Sequence, residues 1–309
     1  MSTKLIVVTN ATGKQGSSVV NALLSDSKYV VRGLTRNLTS AASQALAAKG
    51  VEMVQVSVMD PNGLPASFKD AYAVFGYTIP LQADSELTQG KNMVDACLAN
   101  HVPLFIWSSL PSLSTLSHGK VDYALMEQKA EIDKYLKEVG QPTVILYTSM
   151  FSENLLNQNQ LKAISPKKWE IQYPIVPADM KQAFSYIDQD MGSTARAVID
   201  HWTEASWREA LTKEPIPMCS YKVTGAYMAE TITQISGETV TYERQTDTVP
   251  EALRKIWEFL VESWNYPDPI PPKILVDLGV KFHSFEDFVR EMVLPFMARV
   301  DTGKSVGAH

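Results

Sequence analysis

The chain has 309 residues, 45% of them hydrophobic, with 28 Lys and Arg set against 34 Asp and Glu for a net charge of −6. That balance excludes a disordered chain and argues against direct nucleic-acid binding, which calls for clustered cations. Cys97 and Cys219 stand far apart with no further ligand at metal spacing, so neither a disulfide framework nor a metal site is predicted.

Leu5-Ile6-Val7-Val8 is short and β-branched enough to be a buried parallel strand, and Val19-Val20 with Leu23-Leu24 begins a helical stripe soon after it. Between them lies Asn10-Ala11-Thr12-Gly13-Lys14-Gln15-Gly16, a glycine turn where a dinucleotide's diphosphate would sit against the helix start. Gly13 and Gly16 remove side chains where backbone and phosphate must approach. Asn10 stands where the pattern expects its first glycine, and Asn enters the left-handed backbone region more easily than most residues. Gln15 directly after Lys14 excludes the triphosphatase loop, which needs Ser or Thr there.

The second strand, residues 29–35, ends at Arg36, about 20 residues past the last glycine, where NAD-selective folds place an acid. A guanidinium beside Asn37 suits a 2′-phosphate instead, so NADP(H) is preferred over NAD(H). Helix at 40–49, strand at 51–56, helix at 64–71, strand at 73–78, helix at 86–100 and strand at 103–109 follow. This alternation predicts an α/β, Rossmann-type doubly wound parallel sheet with its ligand crevice at the strands' carboxyl ends. That rule gathers Ser57, Thr78, Ile79, Pro80, Ser108 and Ser109 along one edge, and the sixth strand, 143–147, adds Phe151, Ser152, Glu153 and Asn154.

Val121, Leu125, Ile132, Leu136 and Val139 recur at helical spacing, with Lys129 at the margin of the stripe. A lysine there either reaches into the cleft to hold or lend a proton, or snorkels with its stem over apolar surface. Tyr123 is a poor partner for it, because six residues place the two about 120° apart around a helix.

From about 156 the pattern loosens, with short segments at 175–179 and 221–223 and a helix at 190–202. The division predicted is a nucleotide-binding domain over 1–155 and a smaller interleaved α/β lobe over 156–309, for substrate or partner, with 186–204 returning to the first core. Trp169, Tyr173, Phe184, Trp257 and Trp264 are candidate walls of a substrate pocket or plain core. Residues 266–272, rich in proline, read as a surface loop, and 303–309 as a frayed end. The sequence shows no secretory signal and no run of 18 apolar residues, which predicts a cytoplasmic protein with the nucleus also open to it and no membrane contact.

The glycine turn, Thr35-Arg36-Asn37, Gln89-Gly90-Lys91-Asn92, Phe105-Ile106-Trp107-Ser108-Ser109 and Glu153-Asn154-Leu155 together resemble the NmrA-like family of atypical short-chain dehydrogenases. The resemblance spans residues 4–200 and, more faintly, 284–288. It implies NAD(P) binding, with phosphates on Ala11, Thr12, Gly13, Lys14, Gln15 and Gly16, the 2′-phosphate by Arg36 and Asn37, the adenine near Ser57, and the cofactor's middle along Thr78, Ile79 and Pro80. Lys129, Phe151, Ser152, Glu153 and Asn154 would meet the nicotinamide half. Short-chain dehydrogenases carry a Tyr four residues before the Lys. Here that residue is Leu125, while Ser109 matches the helper Ser.

The family's isoflavone-type reductases use the Lys without the Tyr, and its redox sensors pass the cofactor's state to a transcription-factor partner. The resemblance therefore implies an NADPH-dependent reductase of a small organic substrate, with Lys129 and Ser109 catalytic, or a non-catalytic NADP(H) sensor with a regulatory protein partner. A scaffold that has lost nucleotide binding is the third reading, resting on Asn10 and Ser57.

Overall fold

The computed structural model describes residues 3–80, 84–246, 249–262 and 264–301. The expected end segment, 303–309, lies outside them. Thirteen strands are described: β1 Lys4–Val8, β2 Tyr29–Thr35, β3 Glu52–Gln55, β4 Ala73–Gly76, β5 Leu104–Ser109, β6 Thr143–Thr148, β7 Met150–Phe151, β8 Leu161–Ser165, β9 Lys168–Pro174, β10 Lys181–Ser185, β11 Ile216–Met218, β12 Tyr221–Thr224 and β13 Thr239–Gln245. Seven of them form one parallel sheet in the order β11-β6-β5-β4-β1-β2-β3. Its order reverses between β1 and β4, the switch point beside which such sheets bind ligands.

The six strands read from sequence are present with ends displaced by a residue or two. β11 is the addition. It is three residues long with Pro217 at its centre, a pattern that carries no strand signal but is tolerated on an edge, where one side of the backbone needs no partner. Two three-stranded sheets, β12-β10-β7 and β13-β9-β8, make up the other layer. The short segment at 175–179 is irregular, whereas that at 221–223 lies in strand β12. Strand β9 ends at Pro174, and Ile175 takes a positive φ of 60° that breaks the extended run.

The helix Lys14–Leu24 lays Val19, Val20 and Leu23 on the sheet, and against it packs Gly192–His201, entered through a π-helical turn at Ile187–Met191. A Cβ on Gly192 would lie 2.2 Å from the Ser18 carbonyl oxygen, so only glycine lets these helices approach so closely. The Ser18 hydroxyl ties the two together, donating to the Asp188 carbonyl at 3.0 Å and accepting from the Gly192 amide at 2.9 Å. Ile187, Met191, Ala195, Val198, Ile199 and Trp202 thereby join the core that also holds Ile6, Val8 and Val31. The 266–272 segment is irregular as expected, yet Tyr266 is buried and donates to the Thr148 carbonyl at 2.8 Å.

Candidate functional site

The glycine turn closes the first strand against the exit of β4. Asn10 sits at φ 47°, the left-handed conformation expected for it. Its side-chain amide donates to the Tyr77 carbonyl at 3.0 Å, and its own carbonyl accepts from the Tyr77 hydroxyl at 2.9 Å. A Cβ on Gly13 would fall 2.3 Å from that hydroxyl, and one on Gly16 would fall 2.4 Å from the Asn10 carbonyl. Both glycines thus make room for the Asn10–Tyr77 clasp, a constraint invisible in the turn's own sequence.

Does this turn fit a dinucleotide? Gly13 begins the helix with no side-chain cap, and no acidic residue lies in the first turn, so the amides and partial positive charge of the helix start are not spent on a protein anion. Gln15 Oε1 is buried without a donor, as an acceptor awaiting a sugar hydroxyl would be. Arg36 and Asn37 are exposed at the exit of β2. The Asn37 carboxamide oxygen accepts from the Thr39 amide at 2.9 Å and hydroxyl at 2.7 Å, which shapes the loop. Ser57 turns the chain after β3, its hydroxyl accepting from the Met59 amide at 3.1 Å. Ile79 is fixed by Gln89, which accepts from the Ile79 amide at 3.0 Å and donates to its carbonyl at 3.1 Å, while Pro80 is exposed. These residues fit the group.

Lys129 is buried on the helix Ala124–Val139. Its Nζ lies 2.7 Å from Glu86 Oε2 and also donates to the Thr78 hydroxyl, which itself donates to Glu86. Burial pushes the ammonium down from the ordinary lysine range, while Glu86 and Asp133 pull it back up. One turn further along the helix, Asp133 gathers three donors: Ser109 at 2.7 Å, Trp107 Nε1 at 2.8 Å and Tyr147 at 3.0 Å. Burial pushes its carboxyl up to about 6 against those three bonds. Trp107 connects the two clusters, its ring 5.9 Å from Lys129 Nζ. Ser109 is therefore held by a carboxylate rather than by a Tyr. His118, the histidine just before this helix, is exposed in a turn.

On the 150–154 segment, Ser152 is hydrogen bonded to Tyr221 at 2.6 Å, and Phe151 is half-buried. Glu153 is almost wholly buried. Its Oε1 accepts from the Asp188 amide at 2.8 Å, but its Oε2 has no partner. Burial pushes this carboxyl up to about 7; the hydrogen bond from the Asp188 amide opposes the rise, the Asp188 carboxylate adds to it, and Lys14 of the glycine turn opposes it weakly.

Its neighbours Met150 and Asn154 open onto a cavity of about 590 Å³ at the exits of β5 and β6. Tyr123, Leu125, Tyr173, Trp257, Trp264 and Tyr266 are among its walls, and Lys129 and Ser109 are not. Trp169 and Phe184, also candidate walls, are core residues. The roof is the helix Glu251–Glu262, which turns Leu253, Ile256, Trp257 and Leu260 inward at helical spacing. Sequence reasoning named Trp257 but not this stripe, although the stripe was legible. Tyr123 is the N-cap outside the helix, so helical angles do not govern it, and it faces the cavity. Glu86, Tyr77 and Asp133 were missed because their partners are distant in sequence.

A Rossmann-type sheet with an uncapped glycine-turn helix and an aromatic cavity at the same sheet edge is the architecture of dinucleotide-linked short-chain dehydrogenase relatives. The model of the NmrA-like family matches residues 2–298, and the chain belongs to that family. An NmrA-like family domain-containing oxidoreductase of Aspergillus hancockii is 33% identical over 175 residues, 53% of this chain and 50% of that protein. One of Cladobotryum is 32% identical over 148 residues, 45% of this chain and 43% of its own length. The alignments thus span about half the length of these curated relatives.

The fold is similar to that of NmrA, a negative transcriptional regulator, with a TM-score of 0.81 at 18% identity over 97% of this chain and 98% of the other. It is also similar to an NADPH-dependent quinone oxidoreductase of Escherichia coli solved with NADPH, with a TM-score of 0.70 at 21% identity over 93% and 99%. Among the described residues no helix is long and apolar enough to cross a membrane.

Proposed function

We propose that the chain is an NADP(H)-dependent reductase of a small organic substrate. The observation that carries this reading is the meeting of the two sites on one segment, where Glu153 accepts from the amide of Asp188, whose carbonyl in turn accepts from Ser18 of the glycine-turn helix, while Met150 and Asn154 line the cavity. When bound, the dinucleotide supplies a hydride. The amides of Gly13 to Gly16 hold its diphosphate, Arg36 and Asn37 receive the 2′-phosphate, and Thr78, Ile79 and Pro80 line its middle. The aromatic walls exclude water from the substrate. Lys129, in place of a Tyr/Lys pair, holds a proton at Nζ beside Thr78, and Ser109 steadies the helix through Asp133. The quinone oxidoreductase of similar fold and the fungal oxidoreductases of similar sequence support the assignment.

One observation favours a second reading. Lys129 is enclosed by Glu86 and Thr78 and is not part of the cavity wall, which suits a non-catalytic NADP(H) sensor acting on a transcription-factor partner, as the likeness to NmrA also suggests. Titration with NADPH, NADP, NADH and NAD separates the two. A reductase binds NADPH tightly and oxidises it with a substrate, and a sensor discriminates by redox state without turnover. Arg36→Ala lowers the preference for NADPH over NADH by about tenfold or more, as loss of a charge-assisted phosphate contact demands. An unchanged preference refutes that role for Arg36. We place the division of the chain near residue 155, with 186–204, strand β11 and Leu275, Leu278 and Val280 returning to the nucleotide-binding half.

A further inference from the structure

The cavity's walls carry information about charge. Among its described lining residues none bears a formal charge. The roof helix keeps Glu251, Arg254, Lys255, Glu258 and Glu262 off the stripe that it turns inward. What polarity there is comes largely from carboxamides, namely Asn154, Gln158, Gln160, Gln182 and Asn265. Gln182 has a buried Nε2 without an acceptor, so this wall holds a donor in excess.

The rest is apolar, with aliphatic side chains such as Leu253, Ile256 and Leu260 set among rings that pack on one another. Trp264 stacks edge-on against Tyr266 with ring centroids 4.7 Å apart, and Tyr173 meets Trp257 at 6.2 Å and 85°. Rings held at such angles present both flat faces and edges to a guest. A guest carboxylate or ammonium would be stripped of water with no counter-ion to meet it, whereas a carbonyl could accept from a carboxamide.

We propose that this cavity selects uncharged, flat ring compounds bearing a carbonyl acceptor and rejects their carboxylate counterparts. The inference rests on reading the cavity as the substrate site and adds the chemical class of the substrate. Selectivity comes from the missing counter-charge, and the carboxamides orient the carbonyl.

2-Naphthamide and 2-naphthoate have nearly the same shape and differ in charge, which makes them suitable probes. Their binding to the full-length protein is measured by calorimetry and by quenching of tryptophan fluorescence, with and without NADPH. The amide is expected to bind at least about tenfold more tightly than the anion. The exposed wall residue Gln158 is then replaced by a cation, Gln158→Lys, and the gap is expected to close through tighter binding of the anion, a gain that damage to the fold would not produce. Equal or tighter binding of naphthoate to the unaltered protein, no binding of naphthamide, or an undiminished gap in Gln158→Lys overturns the inference. Because these readouts are of binding, a selective cavity in a protein that never oxidises NADPH sinks the reductase reading alone, and turnover of an anionic substrate sinks the charge selection alone.

Discussion

Glu153→Gln makes the electrostatics of the cofactor edge measurable. Glu153 is buried with one oxygen accepting from the Asp188 amide and the other without a partner, and its carboxyl is raised from 4.5 to about 7. In the unfolded chain the same group titrates at its ordinary value. Between those two values the folded protein holds the proton on Glu153 more than the unfolded one does, so this group's contribution to stability is complete below 4.5 and is lost as pH rises towards 7 and through it. A rise of this size corresponds to about 3 kcal/mol in all.

Roughly 2 kcal/mol of it is lost between pH 5.5 and 8.5, or about 3 °C in Tm for a chain of this length. Gln keeps the acceptor at Oε1 and cannot ionise. Thermal unfolding of the two proteins across that range should show the wild type losing more stability than the variant with rising pH, the curves diverging by about 3 °C. Asp133, also raised by burial but not among the groups that act on Glu153, contributes alike to both proteins and cancels in the difference, whereas the repulsion between Glu153 and Asp188 is removed with the charge and belongs to the effect measured. Parallel curves would refute the argument that an uncompensated carboxylate is buried here.

Lys129→Met leaves Glu86 buried without its cation and should cost about 3–5 kcal/mol in urea unfolding, while Lys129→Met with Glu86→Leu recovers most of that; equal losses in the single and double variants would show that the pair is not coupled. Gly16→Ala forces a Cβ to within 2.4 Å of the Asn10 carbonyl oxygen and 2.8 Å of Ala11 Cα, both backbone atoms that cannot swing aside. It should destabilise by about 1–3 kcal/mol and weaken NADPH binding in a direct titration, and full retention of both would contradict the close approach drawn for the turn. Asn10→Ala puts a less tolerant residue at φ 47° and removes the bond to the Tyr77 carbonyl. A loss of about 1–3 kcal/mol is expected by calorimetry, and a change below about 0.5 kcal/mol would mean that the clasp contributes nothing.

The parallel sheet was legible because β1 to β6 are apolar runs bounded by turns, and the left-handed turn residue because Asn is a common substitute for Gly there. Elements whose reason is tertiary were not. β11 owes its place to an open edge beside β6, not to its own three residues. Lys129 was visible at the margin of a helical stripe, but the carboxylate that neutralises it lies 43 residues away on another helix, and no local pattern joins the two. Ser109 was found for its position after β5, whereas its partner Asp133 reads in sequence as an ordinary charge on a helix. The glycine spacing gave the turn, and the Tyr77 hydroxyl resting against it could not be foreseen from either segment alone.

The chain's return to the first core bears on how this molecule can be cut. Strand β11, the helix Gly192–His201 and, further on, Leu275, Leu278 and Val280 all complete the hydrophobic body begun by β1. An expression fragment ending near residue 155 would strip Ser18 and Ala22 of their packing against Gly192 and leave β6 without β11 on its outer side. A self-standing nucleotide half must therefore extend to about residue 280 and carry both small sheets as passengers, so that evolution or the bench can trade the loops between them far more easily than the halves.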